Sequence, residues 1–248
     1  MIEVSQLRKS FGAQEVLSGV DLSISRGESA VIIGGSGCGK SVLLKHIIGL
    51  IQPDSGEVKI EGESIVDLNE RQLIKVRRKF GMLFQSAALF DSLTVEENVG
   101  FLLDREETMP QEEIRKTVAE ALELVDLGGT QNKKPAELSG GMRKRVGLAR
   151  AIVYKPEIIV YDEPTTGLDP VVSDSIDQLV IKMRDQLNCT TIVVTHDTRS
   201  MRRVGNHVMM LHHGVIHANG KPEEIFNSTD PIVHKFVNGI ADPKDLEF

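Results

Sequence analysis

An α/β fold built on a parallel sheet is predicted by three features of this 248-residue chain. A glycine-rich loop, Gly34–Ser41 (GGSGCGKS), joins the apolar run Ala30–Ile33 to the helical stretch Val42–Leu50. Two further apolar runs, Glu157–Tyr161 and Thr190–Val194, end close to polar residues, the first at Asp162-Glu163 and the second near His196. Short apolar runs alternating with amphipathic helical stretches are the pattern of parallel strands covered by helices. From Ser86 to about Pro156 the alternation stops, and that stretch reads as a helical block inserted into the sheet.

Composition bounds the function classes. Hydrophobic residues make up 40% of the chain and charged ones 26%, the balance of an ordinary globular protein. A formal net charge of −7 argues against broad nucleic-acid binding, and 4% aromatic residues with no Trp offer few stacking platforms for single strands. No apolar run is long enough to span a bilayer, and the start of the chain lacks a signal-peptide core. Cys38 and Cys189 make no disulfide framework. The sequon at Asn227, without a secretion signal, is a chance match. These features imply a reducing, cytosolic setting and no nucleic-acid partner.

In chain order, Ile2–Leu7 reads as a strand, Lys9–Gly12 as a polar turn with one aromatic, and Val20, Leu22 and Ile24 as the buried side of an antiparallel edge strand. Gly56–Ile60 alternates as another strand, Asn69 is placed to cap a short helix, and Gly81–Phe84 is an apolar strand ending at Gln85. In the helical block, Ile114, Val118, Leu122 and Val125 share one helix face, with Pro110 placed as a first-turn proline. A second helix starts near Ser139. Ile176, Leu179, Val180, Met183 and Leu187 mark a longer amphipathic helix. Val208–Leu211 and Val215–His217 form a hairpin about Gly214, and Pro222 opens another helix. The end of the chain carries an apolar stripe, Ile232, Val233, Phe236 and Val237, which packs either on its own subunit or on a second copy.

The chemistry starts at the loop, which fits G-x-x-x-x-G-K-[ST] in a strand–loop–helix context. Glycines at 34, 35, 37 and 39 let successive N–H groups curl toward an anion, and the following helix adds its positive end. Lys40 reaches the β and γ phosphates of a nucleoside triphosphate, and the Ser41 hydroxyl ligates Mg²⁺. Asp162, at a strand end, holds Mg²⁺ through its water shell, and Glu163 stands one residue beyond, placed to polarise water. Leu138–Met142 (LSGGM) opens a helix with a hydroxyl and two glycines, an anion site with no side chain in the way. Taken singly, Phe11 is a packing residue, Gln85 a polar strand end and His196 a structural histidine. Their order around the loop changes that weighing. His212, His213 and His217 read as solvated surface rather than a metal cluster.

In this order the motifs resemble those of the nucleotide-binding subunit of ABC transporters over about residues 2–226. The resemblance implies a RecA-like P-loop NTPase core with an antiparallel β subdomain and an α-helical subdomain inserted at about 86–156. It makes residues 1–229 one nucleotide-binding domain and 230–248 a tail. It implies that Phe11 stacks on adenine and that Gly34, Gly35, Ser36, Gly37, Cys38, Gly39, Lys40, Ser41 and Val42 bind ATP. Ser41, Gln85 and Asp162 then serve Mg²⁺, Glu163 is the base, His196 contacts the γ-phosphate, and Asp169 links two subunits. It also implies a homodimer in which Leu138, Ser139, Gly140, Gly141 and Met142 of one copy cover the ATP held by the loop of the other. Val42, Met142 and Gly167 depart from the commonest family pattern. The first loses a hydrogen bond worth about 1 kcal/mol; none touches Lys40, Ser41, Asp162, Glu163 or His196.

Phe84–Phe90 (FQSAALF), the LSGGM motif and Phe236–Asp242 (FVNGIAD) resemble the ATPases of Mla/Mce-type phospholipid transporters, the MlaF or toluene-tolerance family. That implies a peripheral protein on the cytoplasmic face of the inner membrane, an MlaE-like integral-membrane permease, and an Mce-domain substrate-binding protein. Ala87, Ala88, Leu89 and Phe90 either receive a permease helix or belong to the core. The alternatives are an importer of polar solutes such as amino acids and an ABC ATPase acting on nucleic acid or ribosomes. The latter needs a coiled coil or a second cassette, and the chain has neither pattern. A simple P-loop kinase has no use for LSGGM.

Overall fold

The computed structural model describes residues 1–105 and 109–240. They form two compact units: residues 1–77 with the chain from 192 onward, and residues 78–191.

The first unit holds an antiparallel sheet of β1 (Ile2–Phe11), β2 (Gln14–Ile24), β4 (Ser55–Ile60) and β5 (Glu63–Ser64) in the order β2-β1-β4-β5. Ile2 faces Ile24 on one side and Ile60 on the other, and Val4 faces Leu22 and Val58. All six are buried, so the inward side chains of three strands build one apolar layer. The inward set then changes phase, from Ile2 and Val4 to Leu7, through an irregularity at Gln6. Gln6 has φ 48° and donates its N–H to Asp21 Oδ1 at 2.8 Å. Opposite it, a Cβ on Gly56 would stand 2.3 Å from the Gln6 carbonyl oxygen, so only glycine fits there.

β3 (Ser29–Ile33) is buried along its whole length, as strands covered on both faces are. It pairs in parallel with β9 (His207–His212), which turns back through Gly214 into antiparallel β10 (Val215–Gly220). The loop after β3 leads into α1 (Lys40–Ile47), and α2 is Glu70–Arg77. Asn69 caps α2 reciprocally, its side chain accepting from the Gln72 N–H and its own N–H donating to Gln72 Oε1. Toward the end of the chain come α7 (Thr198–Val204), α8 (Pro222–Phe226) and α9 (Pro231–Val237).

The second unit pairs β6 (Phe80–Leu83) in parallel with β7 (Ile158–Asp162), Leu83 beside Tyr161. Four helices accompany them: α3 (Val95–Arg105), α4 (Gln111–Leu124), α5 (Gly140–Ile152) and α6 (Pro170–Leu187). α3, α4 and α5 pack on one another through Val99, Leu103, Ile114, Val118, Leu122 and Val146, all buried. β8 (Thr190–Val194) begins in this unit, where the Thr190 N–H donates to the Glu157 carbonyl at 3.0 Å. It ends in the first, where the Thr195 N–H donates to the Ile32 carbonyl at 3.2 Å.

Several expectations need correction. Lys9, Ser10 and Phe11 belong to β1, and the turn is only Gly12-Ala13. Lys9 Nζ and the Ser10 N–H both bind the Asp54 carboxylate, so the polar residues extend the strand edge instead of ending it. α1 starts at Lys40 rather than Val42. Pro110 stands at the cap just outside α4, not in its first turn. α3, whose Val95, Val99 and Leu103 recur at i, i+4 and i+8, is expected only as part of the helical block. Its start is marked by the capping box Thr94-x-x-Glu97, in which the Thr94 N–H donates to Glu97 Oε2 and the Glu97 N–H to Thr94 Oγ1. The terminal stripe forms α9, capped by Asp230 and packed on α8, and Val233 and Val237 are buried within their own chain. Ala241 and Asp242, part of the tail resemblance, lie outside the described residues. Among the described residues no helix is long and apolar enough to cross a membrane.

Candidate nucleotide site

In the first unit the loop is built around two glycines that nothing else can replace. Gly34 has φ 152°, and a Cβ there would stand 2.3 Å from the Leu211 carbonyl oxygen and 2.7 Å from Cys38 Sγ. Gly39 has φ 105°, with Leu17, Val16 and the Val16 carbonyl within 3.2 Å of its would-be Cβ. The loop is therefore pressed onto β9 at one end and β2 at the other. Gly35 and Gly37 meet nothing within 4 Å, so its outer face stays open to an anion. Lys40 Nζ donates to the carbonyls of Gly34 and Gly35, at 2.9 Å each, holding a cation over the loop. Ser36 and Ser41 are exposed, and Val42 is half-buried. Ser41 stands in the first turn of α1, which carries no acidic residue to oppose an anion.

Phe11, at the end of β1, is 51% exposed, with Lys9 Nζ 5.7 Å from its ring centre. An apolar ring left in water at a strand end is available for stacking. His196 is exposed in the turn between β8 and α7. Its neighbours fix that turn: Thr195 Oγ1 accepts the Asp197 N–H at 2.9 Å, and Asp197 caps α7 through the Arg199 N–H at 2.8 Å.

Cys38 is half-buried in the loop, and burial pushes its thiol above the ordinary cysteine value while the Lys40 ammonium pulls the other way. Cys189 is buried and pushed up to about 11. Only the thiolate reacts. Alkylation by N-ethylmaleimide is therefore expected at Cys38 alone, accelerating as pH rises toward and past 9, with ATP slowing it at least fivefold. Peptide mass spectrometry of the labelled chain reads the site, and modification unaffected by ATP contradicts the assignment.

In the second unit the carboxylates follow β7. Asp162, the last strand residue, and Glu163 are half-buried. Glu163 has φ 49°, a left-handed backbone that costs a non-glycine residue about 1–2 kcal/mol. The turn beyond it is tied locally: Thr166 Oγ1 donates to Glu163 Oε2 at 3.0 Å, and the Thr166 N–H to the Glu163 carbonyl at 3.3 Å. Gln85 is exposed, two residues beyond the end of β6.

The LSGGM stretch is the N-terminus of α5. Ser139 is its cap, Oγ accepting the Met142 N–H at 3.2 Å, and Leu138 is buried beneath it. Would-be Cβ atoms on Gly140 and Gly141 would lie 3.2 Å from Leu168 and 2.6 Å from Val172. Both glycines thus serve the packing of the start of α5 against Leu168 and Val172. Asp169 caps α6, Oδ1 accepting from the N–H groups of Val171 and Val172 at 2.9 and 3.0 Å. Its carboxylate has a structural use within the chain.

Lys144 is the residue that motif reading missed. It is 5% exposed on α5, and its ammonium donates to the main-chain carbonyls of Gln85 and Glu163. Burial pushes its pKa down, and the carboxylates of Asp162 and Glu163 pull it back up. The signal was its place in the stripe Gly141, Lys144, Leu148, Ala151, a lysine on an apolar helix face. Arg150 and Asn98 were missed in the same way. Arg150 donates to the carbonyls of Ala87 and Ala88, both left-handed at φ 61° and 46°. Asn98, fully buried, accepts the Phe90 N–H and donates to the carbonyls of Phe90, Leu93 and Thr94.

A nucleoside triphosphate fits the open glycine face, the loop ammonium and the exposed Phe11. Ser41, Gln85 and Asp162 each carry a hard oxygen group of the kind Mg²⁺ takes beside phosphate oxygens and water. No cluster of three or more His, Cys, Asp or Glu that suits a metal occurs among the described residues.

A glycine loop between a buried strand and a helix, with carboxylates ending a second apolar strand, defines a P-loop nucleoside triphosphatase of α/β fold. The sequence model of the family described as "ABC transporter" matches residues 17–166. The chain is 43% identical over 238 residues, 96% of its length and 69% of the relative's, to the probable ribonucleotide transport ATP-binding protein mkl of Mycobacterium leprae. It is 41% identical over 258 residues to protein TRIGALACTOSYLDIACYLGLYCEROL 3, chloroplastic, of Arabidopsis thaliana, covering 98% of this chain and 74% of that one. To the intermembrane phospholipid transport system ATP-binding protein MlaF of Haemophilus influenzae it is 37% identical over 242 residues, 98% and 92% of the two lengths. The dimeric post-hydrolysis state of the ATP-binding cassette MJ0796 with ADP and Pi superposes with a TM-score of 0.82 at 36% identity, covering 90% of this chain and 99% of that one. The chain belongs to the ABC transporter family and is an ATPase cassette of it.

Proposed function

We propose that this chain is the ATPase subunit of a phospholipid transporter, working as a homodimer on the cytoplasmic face of the membrane under an integral-membrane permease. Support comes first from the near full-length match to a relative named for intermembrane phospholipid transport, 92% of whose length is covered. A second relative bears the name of a glycerolipid, whereas the mycobacterial one is named for ribonucleotides. In this reading residues 1–229 are the cassette and 230–248 a tail. Phe11 stacks on adenine, Gly34–Ser41 and Val42 hold the phosphates, and Ser41, Gln85 and Asp162 serve Mg²⁺. Glu163 takes the proton of the attacking water, His196 meets the γ-phosphate, Leu138–Met142 covers ATP on the other copy, and Asp169 stands at the seam. An Mce-domain protein completes the assembly.

The turn after β6 supports docking of a permease. Ala87 is buried as an anchor, while Ala88 and Phe90 are exposed and Leu89 is half-buried. Phe90 lies 4.6 Å from the Phe101 ring, on which the Arg105 guanidinium stacks, so an apolar patch stands beside a cation. Leu89→Asp is expected to cut permease co-purification at least tenfold with ATP affinity unchanged; undiminished co-purification sinks the docking assignment.

The cargo is tested by purifying the chain with its membrane partner and identifying retained small molecules by mass spectrometry. Glycerophospholipid enriched over bulk membrane, with an MlaE-like permease, is expected. A polar-solute-binding protein or bound ribonucleotide without lipid enrichment overturns the reading.

A further inference from the structure

The Lys144 ammonium lies between two backbone turns. β6 and β7 run side by side and in the same direction, so the segments leaving them, with Gln85 and Glu163, emerge together. Their carbonyl oxygens converge on one Nζ, 3.2 Å from that of Glu163. α5, which carries Lys144, also carries Ser139 at its cap and Arg150, whose guanidinium holds the left-handed Ala87–Ala88 turn. At its far end α5 is pinned to β6: a Cβ on Gly81 would stand 2.2 Å from the Ala151 carbonyl oxygen. One rigid helix thus grips the segment after β6 at Gln85, Ala87 and Ala88, and the carboxylate turn at Glu163.

Burying an ammonium costs desolvation, which the two carbonyl hydrogen bonds and the nearby Asp162 and Glu163 carboxylates offset. What the lysine does supply is a fixed distance between the two turns and a donor that holds the strained Glu163 backbone. We propose that Lys144 is a positioning residue for ATP hydrolysis, tying the Gln85 segment to Glu163 so that the base keeps its attacking geometry. The inference rests on Glu163 as the base. It reaches further in one respect: a displacement of the 85–90 segment by a bound partner is carried to the Glu163 carbonyl through this side chain.

Lys144→Met, Lys144→Arg and Glu163→Gln are each compared with the unaltered chain for kcat, KM for ATP and thermal midpoint. Lys144→Met is expected to lower kcat tenfold or more and leave KM within twofold, with the midpoint lowered by only a few degrees because two carbonyls lose their donor. Lys144→Arg, which restores a cation with several donors, is expected to recover most of kcat. A Lys144→Met chain with kcat within twofold of normal, a loss confined to KM, or an Arg variant no better than the Met variant overturns the proposal. Normal turnover by Glu163→Gln overturns the base assignment itself, an outcome separate from an inactive Glu163→Gln beside an unimpaired Lys144→Met. Should Lys144→Met fail to accumulate, Lys144→Leu, which also lacks a donor, is read by the same kcat and KM criteria.

Discussion

Glu163→Gln is expected to lower steady-state ATP turnover by about 10²–10⁴-fold, the usual contribution of a positioned general base, while ATP still binds. The substitution removes a proton acceptor and little else. A glutamine at this place has the same shape, and its carbonyl oxygen can still accept the Thr166 hydroxyl that Glu163 Oε2 receives at 3.0 Å. The left-handed backbone at φ 49° is as tolerable for Gln as for Glu. The fold is therefore expected to survive with its thermal midpoint nearly unchanged, so that lost turnover reports on chemistry. Single-turnover measurement with radiolabelled ATP separates the steps, and hydrolysis within threefold of normal contradicts the assignment.

Lys40→Met is expected to weaken ATP binding about a hundredfold or more. The lysine's ammonium already bonds the carbonyls of Gly34 and Gly35 at 2.9 Å, which holds it over the loop before any phosphate arrives. A charge-assisted hydrogen bond contributes about 1.5–3 kcal/mol, and two phosphate oxygens take two of them. Methionine has the length without the donors, and the loop's own shape is set by Gly34 and Gly39 against Leu211 and Val16. Titration with a fluorescent ATP analogue measures the loss. An unchanged Kd would mean that the backbone N–H groups and the α1 terminus suffice, and would remove Lys40 from the phosphate site.

How much was legible depended on whether the signal was local. The phosphate loop, β7 with Asp162-Glu163, and the α5 cap at Ser139 are contiguous stretches whose chemistry is written in adjacent residues, and each stands where the pattern put it. Family membership followed from their order. α3 was legible too, in Val95, Val99 and Leu103 at helical spacing and in the Thr94–Glu97 box at its start, but was expected only as part of the helical block. The choice between core and groove for Ala87–Phe90 was undecidable from composition, since consecutive left-handed alanines split one apolar run into a buried and an exposed part. The packing of α9 on its own chain needed the tertiary fold. Lys144 was the deepest miss: its partners are main-chain carbonyls 59 and 19 residues away, and backbone groups leave no mark in a sequence.

The central claim is that one chain holds half of each working site, its loop at Gly34–Ser41 completed by Ser139–Gly141 of a second copy. Sedimentation of Glu163→Gln with and without Mg²⁺–ATP tests it most directly. The mass of one chain without nucleotide, doubling when ATP is added, is the predicted result, and adding Ser139→Phe to the same chain is predicted to abolish the doubling while ATP remains bound. A single-chain mass at saturating ATP, or a dimer indifferent to Ser139→Phe, would contradict it.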